Sequence, residues 1–194
     1  MNCKKLAAVN FAGSTAYLGE RAFKNCTGLT EMYVPASGIL YDGTFAGCTK
    51  LAGVALEYGN MYVEEGAFSG CTNLRQVSLH VGVRLRAYGI FQNCPKLAGV
   101  VVRRGGYAVQ IPIPMDETHD HFLVQLSLLL SEPDLQMQQI EAIFGRLPDS
   151  AGKLGIAVYL TLHALPASDG AKFYLMQHRR QLAVYLVAGG VRMC

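Results

Sequence analysis

A chain of 194 residues that is 51% hydrophobic and 16% charged lies far from the composition of disordered segments and can bury a sizeable core. Its net charge of +3, from 17 basic and 14 acidic residues, is too small for the basic stripe that would neutralise phosphates, so nucleic acid is not expected as a partner. No segment has the form of a secretory signal, because the apolar start Leu6 to Val9 is cut by Asn10. No membrane span is expected either, since Phe122 to Leu130 contains Gln125 and Ser127 and stops at Ser131.

From the N-terminus the chain repeats itself. Cys3, Cys26, Cys48, Cys71 and Cys94 recur at intervals of 23, 22, 23 and 23 residues. Their neighbours recur as well, in NCKKL, AFKNCTGL, TFAGCTKL, AFSGCTNL and IFQNCPKL, with Phe23, Phe45, Phe68 and Phe91 three residues before the last four cysteines. Each following leucine (Leu6, Leu29, Leu51, Leu74, Leu97) opens an alternating stretch, LAAVNF, LTEMYV, LAGVAL, LRQVSL and LAGVVV, which predicts one half-buried strand per unit. A second short extended piece precedes the phenylalanine in LGERAF (18 to 23), LYDGTF (40 to 45) and VEEGAF (63 to 68). A coil of this length cannot bury its own apolar face. Stacked coils can, so the pattern predicts a β-solenoid of about five coils of 22–23 residues with parallel ladders of like residues.

These units resemble the BspA-like bacterial leucine-rich repeats, whose pattern is close to I-G-x-x-A-F-x-x-C-x-x-L-x-x-V-x-[IL]-P. The resemblance spans residues 1 to about 102. It departs from the pattern at Arg86, where an apolar residue is expected, with AYGIF in place of GxxAF, and the strand-ending proline survives only as Pro35. Arg86 therefore predicts a bulge or a register shift to Leu85. The resemblance implies protein recognition, in many members at a cell surface, and implies no enzymatic activity. The chain begins inside a unit, at Met1-Asn2-Cys3, as a fragment of a longer array would. A cytoplasmic location is expected for the chain as it stands, and a cell-surface one for such a fragment.

Regular cysteines invite a zinc or disulfide reading. Structural zinc sites need pairs two to four residues apart, whereas these lie at least 22 apart. In a parallel stack the Cβ vectors would run side by side rather than toward one another, against disulfide geometry. Buried, reduced thiols acting as core spacers are expected, with Cys194 an exposed thiol outside the ladder and no cofactor.

After Val102 the composition changes to a glycine pair, two prolines and an acidic patch with histidines. The expected organisation is a solenoid over residues 1–104, a boundary strand and linker over 105–118, and a small helical C-terminal domain over 119–194, an α+β chain in all. Tyr107 to Ile113 alternates as one last strand covering the open sheet edge. Downstream, Leu135, Ile140, Phe144 and Leu147 share a helical face behind a capping-box start at Ser131 to Asp134. Leu154, Ala157, Val158 and Thr161 mark a second helix. A third is predicted from about Ser168 to Val187, with Phe173, Met176, Leu182, Tyr185 and Leu186 inward. Phe122 to Leu130 reads as a helix or as a buried strand. The stretch from Gly145 to Gly190 is similar to the helical region that follows such repeats in some gut-bacterial leucine-rich-repeat proteins, and it carries no catalytic motif.

His119 and His121, with Asp116, Glu117 and Asp120, form the one cluster that could ligate a divalent metal. Histidines two apart point to opposite faces of a strand and match poorly on a helix, and acids before a helix favour its positive end, so no metal is expected. His163 and His178 read as surface or partly packed helix residues. The leading expectation is a non-enzymatic module that binds a protein, or a glycan, through its outward strand positions: Ala8 and Asn10, Glu31 and Tyr33, Gly53 and Ala55, Gln76 and Ser78, Gly99 and Val101. Glu31, Tyr33, Arg75, Gln76 and Ser78 are its candidate binding residues, with Tyr33 the amphipathic anchor. The alternative is an enzyme with a site at the junction of solenoid and helices, using His119 or His121.

Overall fold

The computed structural model describes residues 3–11, 15–34, 37–57, 60–80, 82–86, 89–104, 107–115, 119–131, 137–147, 149–162 and 169–193. Its first part is a β-solenoid with two parallel sheets. The smaller sheet runs in the order β1 (Thr15–Leu18), β3 (Ser37–Leu40), β5 (Met61–Val63), β7 (Arg84–Leu85). The larger carries β2 (Glu31–Val34), β4 (Gly53–Leu56), β6 (Gln76–His80) and β8 (Gly99–Arg104). Three turns of the solenoid therefore have a strand in both sheets, and β1 and β8 belong to incomplete turns at either end.

The corners explain why the chain coils at this period. Two residues per coil hold left-handed backbone: Arg21, Gly43, Gly66 and Gly89 two before the phenylalanine, then Asn25, Gly47, Gly70 and Asn93 just before the cysteine, with φ between 56° and 73°. Glycine and asparagine adopt this region most easily, which accounts for the recurring Asn-Cys and Gly-Cys pairs. Between the two corners the arc bonds to the next coil, as Phe23 N–H donates to Thr44 O, Phe45 N–H to Ala67 O and Phe68 N–H to Ile90 O, all at 2.8–3.0 Å.

Like residues then stack. Met32, Val54, Val77 and Val100 stand in register, as do Val34, Leu56, Leu79 and Val102, and all are buried. Phe23, Phe45, Phe68 and Phe91 form one column with ring centroids 5.1, 5.5 and 5.9 Å apart and planes within 11°. The register shift expected near Arg86 is present: buried Leu85 pairs opposite Val63, and Arg86 lies over the Tyr62 ring at 3.9 Å. The expected first strand is different. Among the described residues, Leu6 to Phe11 stays outside the sheet, although Leu6, Val9 and Phe11 pack partly on the core.

Past the last coil, β9 (Tyr107–Pro112) turns back antiparallel to β8 and covers its edge, as the alternation at Tyr107 to Ile113 predicts. Then come α1 (His119–Ser131), α2 (Met137–Arg146), α3 (Ala151–Leu162), α4 (Asp169–Gln177), α5 (Arg179–Val187) and a last strand, β10 (Val191–Met193). The ambiguous Phe122 to Leu130 run is helical, in α1. Ser131, read as the opening of a helix, closes α1 instead, and Leu135 lies outside the described residues. Ile140, Phe144 and Leu147 are buried as expected. α3 starts from Ser150, whose hydroxyl accepts the Lys153 N–H at 3.2 Å. It lies so close to β9 that a Cβ on Gly155 would come within 3.0 Å of Gln110 O.

The single helix expected up to Val187 is two, broken at His178, and its start at Ser168 lies outside the described residues. Its inward face is also different. Tyr185 is buried and Leu182 half-buried, but Phe173 and Met176 are 60% and 72% exposed and Leu186 is exposed. His178, at φ −105° and ψ 27°, departs from helical backbone, so the inward spacing of one continuous helix does not carry across it.

Candidate functional site

The strand register lays out the outward face of the larger sheet row by row. Tyr33, Ala55, Ser78, Val101 and Gln110 stand side by side across β2, β4, β6, β8 and β9. The row before them holds Glu31, Gly53, Gln76 and Gly99. Because β4 carries Gly53 and Ala55 here and β6 the small Ser78, the face sinks into a groove of about 470 Å³. Tyr33 and Glu31 line it at one end and Glu57, Ser78 and Arg103 at the other.

Of the residues singled out from the sequence, Glu31, Tyr33, Gln76 and Ser78 share this groove. Tyr33 is 55% exposed, and Glu31, Arg75 and Gln76 are exposed. Ser78 is different: it points outward but is only 7% exposed. Its hydroxyl donates to Glu57 Oε1 at 3.1 Å, and Glu57 Oε2 in turn lies 3.7 Å from Arg103 Nη1. The side chains that cover Ser78 are thus the ones a partner would meet. Val101, expected to face outward, is buried to the same degree. Arg75 lines a neighbouring groove of about 410 Å³ together with Gln76, Arg103, Gln110 and Arg192.

Glu57 and Arg103 were missed, although continuing the period-2 count past Ala55 and Val101 would have found both. Arg192 could not be found in that way. It reaches the face because β10 pairs antiparallel with β9, with Arg192 opposite Ala108. That pairing joins segments more than eighty residues apart.

The histidines offered as an alternative site are held by backbone. His119 Nδ1 is 2.8 Å from Pro114 O, and His121 Nε2 is 3.1 Å from Arg146 O at the end of α2. His178 Nδ1 lies 2.9 Å from Tyr174 O, with its ring stacked 4.0 Å from that of Tyr174. Asp116, Glu117 and His163 lie outside the described residues, as does the side chain of Asp120. Among the described residues no group of three His, Cys, Asp or Glu could hold a metal ion, and no helix is long and apolar enough to cross a membrane.

The cysteine ladder is more than a row of spacers. Cys48 Sγ donates to Phe23 O at 3.2 Å, Cys71 Sγ to Phe45 O at 3.3 Å and Cys94 Sγ to Phe68 O at 3.2 Å, so each thiol ties its coil to the one before. Cys26, Cys48, Cys71 and Cys94 are buried free thiols, whereas Cys3 is exposed and Cys194 lies outside the described residues. Burial pushes Cys48 and Cys94 up to about 11 and raises Cys71 as well, the reverse of what a nucleophile or metal ligand needs.

The family model for the BspA type Leucine rich repeat region matches residues 1–104 with six copies, one more than the five cysteine-marked units. The chain belongs to the BspA-type leucine-rich-repeat family. Comparison with curated proteins and with solved structures finds no match. The helices that follow the BspA-type repeats fit an α+β chain in which the buried residues of both parts form one cluster.

Proposed function

We propose that this chain is a non-enzymatic protein-binding module whose recognition surface is the outward face of the larger sheet. The observation that carries this reading is the groove itself. Four parallel strands from four successive coils place a half-exposed tyrosine, two carboxylates and an arginine around a floor that includes Gly53 and Ala55. Such a surface offers an aromatic anchor, a charged rim and room for a partner's side chains in between. By contrast, the buried cysteines have raised pKa values, which disfavours the thiolate a nucleophile needs, and His119 Nδ1 and His121 Nε2 face different carbonyl oxygens, those of Pro114 and Arg146.

The experiment is a pull-down with the purified chain as bait beside two variants. A protein captured by the wild type should bind Tyr33→Ala with Glu31→Ala more weakly by over about 1 kcal/mol, and His178→Ala should bind it unchanged. Retention by the strand-face variant together with loss by the His178 variant would move recognition to the helices and leave the solenoid as a scaffold.

A further inference from the structure

We propose that the C-terminal strand β10 completes, together with the last repeat strand, a three-arginine pocket that takes an acidic side chain of a protein partner. The inference rests on reading the strand face as the recognition surface and adds the chemistry of what that face accepts at its helical end. Arg192 of β10 and Arg103 of β8 both stand opposite Ala108 of β9. Residues in register share a face, so the two arginines rise on the same side, two strand spacings or about 10 Å apart, with only a methyl group between them. Arg75 reaches the same groove from the residue before β6, and the Gln110 amide lies in its lining.

The charge pattern of this groove is one-sided. Among the described residues its lining holds Arg75, Arg103 and Arg192 and no carboxylate. Among the described residues no ion pair engages Arg75 or Arg192, and Arg103 alone has an acid nearby, Glu57 at 3.7 Å from the adjoining groove. Gathering three guanidinium groups around a single carboxylate, Glu57, leaves a net positive site in the free chain, since like charges side by side on a sheet repel. A carboxylate suits the site because the planar guanidinium fork matches it with two parallel hydrogen bonds, and among the described residues no lysine lines the pocket.

The neighbouring groove decides between classes of anion. Glu31 and Glu57 line it, a few side chains along the same face. A uniformly charged polymer, such as a nucleic acid or an acidic polysaccharide, would pass from the arginines straight onto these two carboxylates. A polypeptide can place an acidic residue over the arginines and a neutral or basic one over Glu57 and Glu31. The face is therefore complementary to a protein segment of mixed charge, and its C-terminal extension contributes one of the three cations.

The test measures fluorescence anisotropy of a labelled tetraglutamate peptide on the intact chain at low salt, with tetralysine as the control. Wild type should bind tetraglutamate in preference to tetralysine. R192Q and R103Q, with melting curves that overlay the wild type, should each weaken binding about tenfold, and R192K should fall between because it keeps the charge without the fork. E57Q should bind more tightly, by freeing Arg103 while keeping an acceptor for Ser78. Unchanged binding in R103Q and R192Q, or equal binding of the two peptides, would overturn the pocket. Inorganic phosphate binding as tightly as the peptide would assign the site to a small anion and overturn the acidic side chain. The two readings can fail separately, because this assay reads the arginines, whereas the anchor role of Tyr33 and Glu31 is read on the protein captured in the pull-down.

Discussion

Phe68 sits between Phe45 and Phe91 in the aromatic column and is fully buried, so its truncation opens a hole that neighbouring coils cannot close without losing their own register. Phe68→Ala should cost about 3 to 5 kcal/mol, read as a lower denaturant midpoint. An unchanged midpoint would remove the argument that this column holds the coils together. The cysteines beside it behave as donors rather than as reactive groups. A thiol reagent at neutral pH should modify exposed Cys3 in the folded chain and leave Cys26, Cys48, Cys71 and Cys94 untouched until denaturant is added. Rapid labelling of any of these four by mass spectrometry would contradict their burial.

Among the elements, the three-residue β10 is the one on which the proposed arginine pocket depends. It is held by a compact lock: Gln110 N–H donates to Gly190 O at 2.8 Å, and the buried Tyr185 hydroxyl lies between Gly190 O and Gln110 O. A side chain at Gly190 has no room, because its Cβ would run into the Tyr185 ring. Gly190→Ala should therefore unseat β10 and speed amide exchange at Gln110, while the exchange of Val54 and Val77 in the repeat strands stays slow. Uniform acceleration across the sheet would mean that β10 is not a separate unit. If β10 does lift away, tetraglutamate binding should fall with it, since Arg192 goes too.

For the molecule as a whole, the stacked thiols link stability to alkaline pH. Cys48 and Cys94 ionise near 9.0 when unfolded and only near 11 when folded, because burial disfavours the thiolate. The folded state keeps its protons while the unfolded chain releases them, so this contribution is complete below about pH 9 and is lost as pH rises toward 11. The melting temperature should fall over that window, and the double variant Cys48→Ala with Cys94→Ala should start lower and show a shallower fall. Equal slopes for the two proteins would show that the thiols are not the groups responsible.

The solenoid, its two-sheet coil and the Phe, Cys and Leu columns were legible in the sequence because each depends on neighbours within about one repeat and is written several times over. The shift to Leu85 was legible for the same reason, as a break in a pattern established by the coils before it. The outward order of Glu31, Tyr33 and Gln76 also follows from period 2 alone. What only the tertiary structure decided is written once and joins distant segments. A helical stretch without proline or glycine between Phe173 and Val187 does not announce a break at His178, and the exposed Phe173 and Met176 show that apolar spacing without a known neighbour cannot say which side is inward. The burial of Ser78 beneath Glu57 and Arg103 depends on side chains from three strands meeting at one point. Arg192 joins the outward face of the larger sheet through a pairing with β9 that no local rule encodes, because the reward for closing so long a loop comes from the whole folded surface and not from the three residues that make the strand.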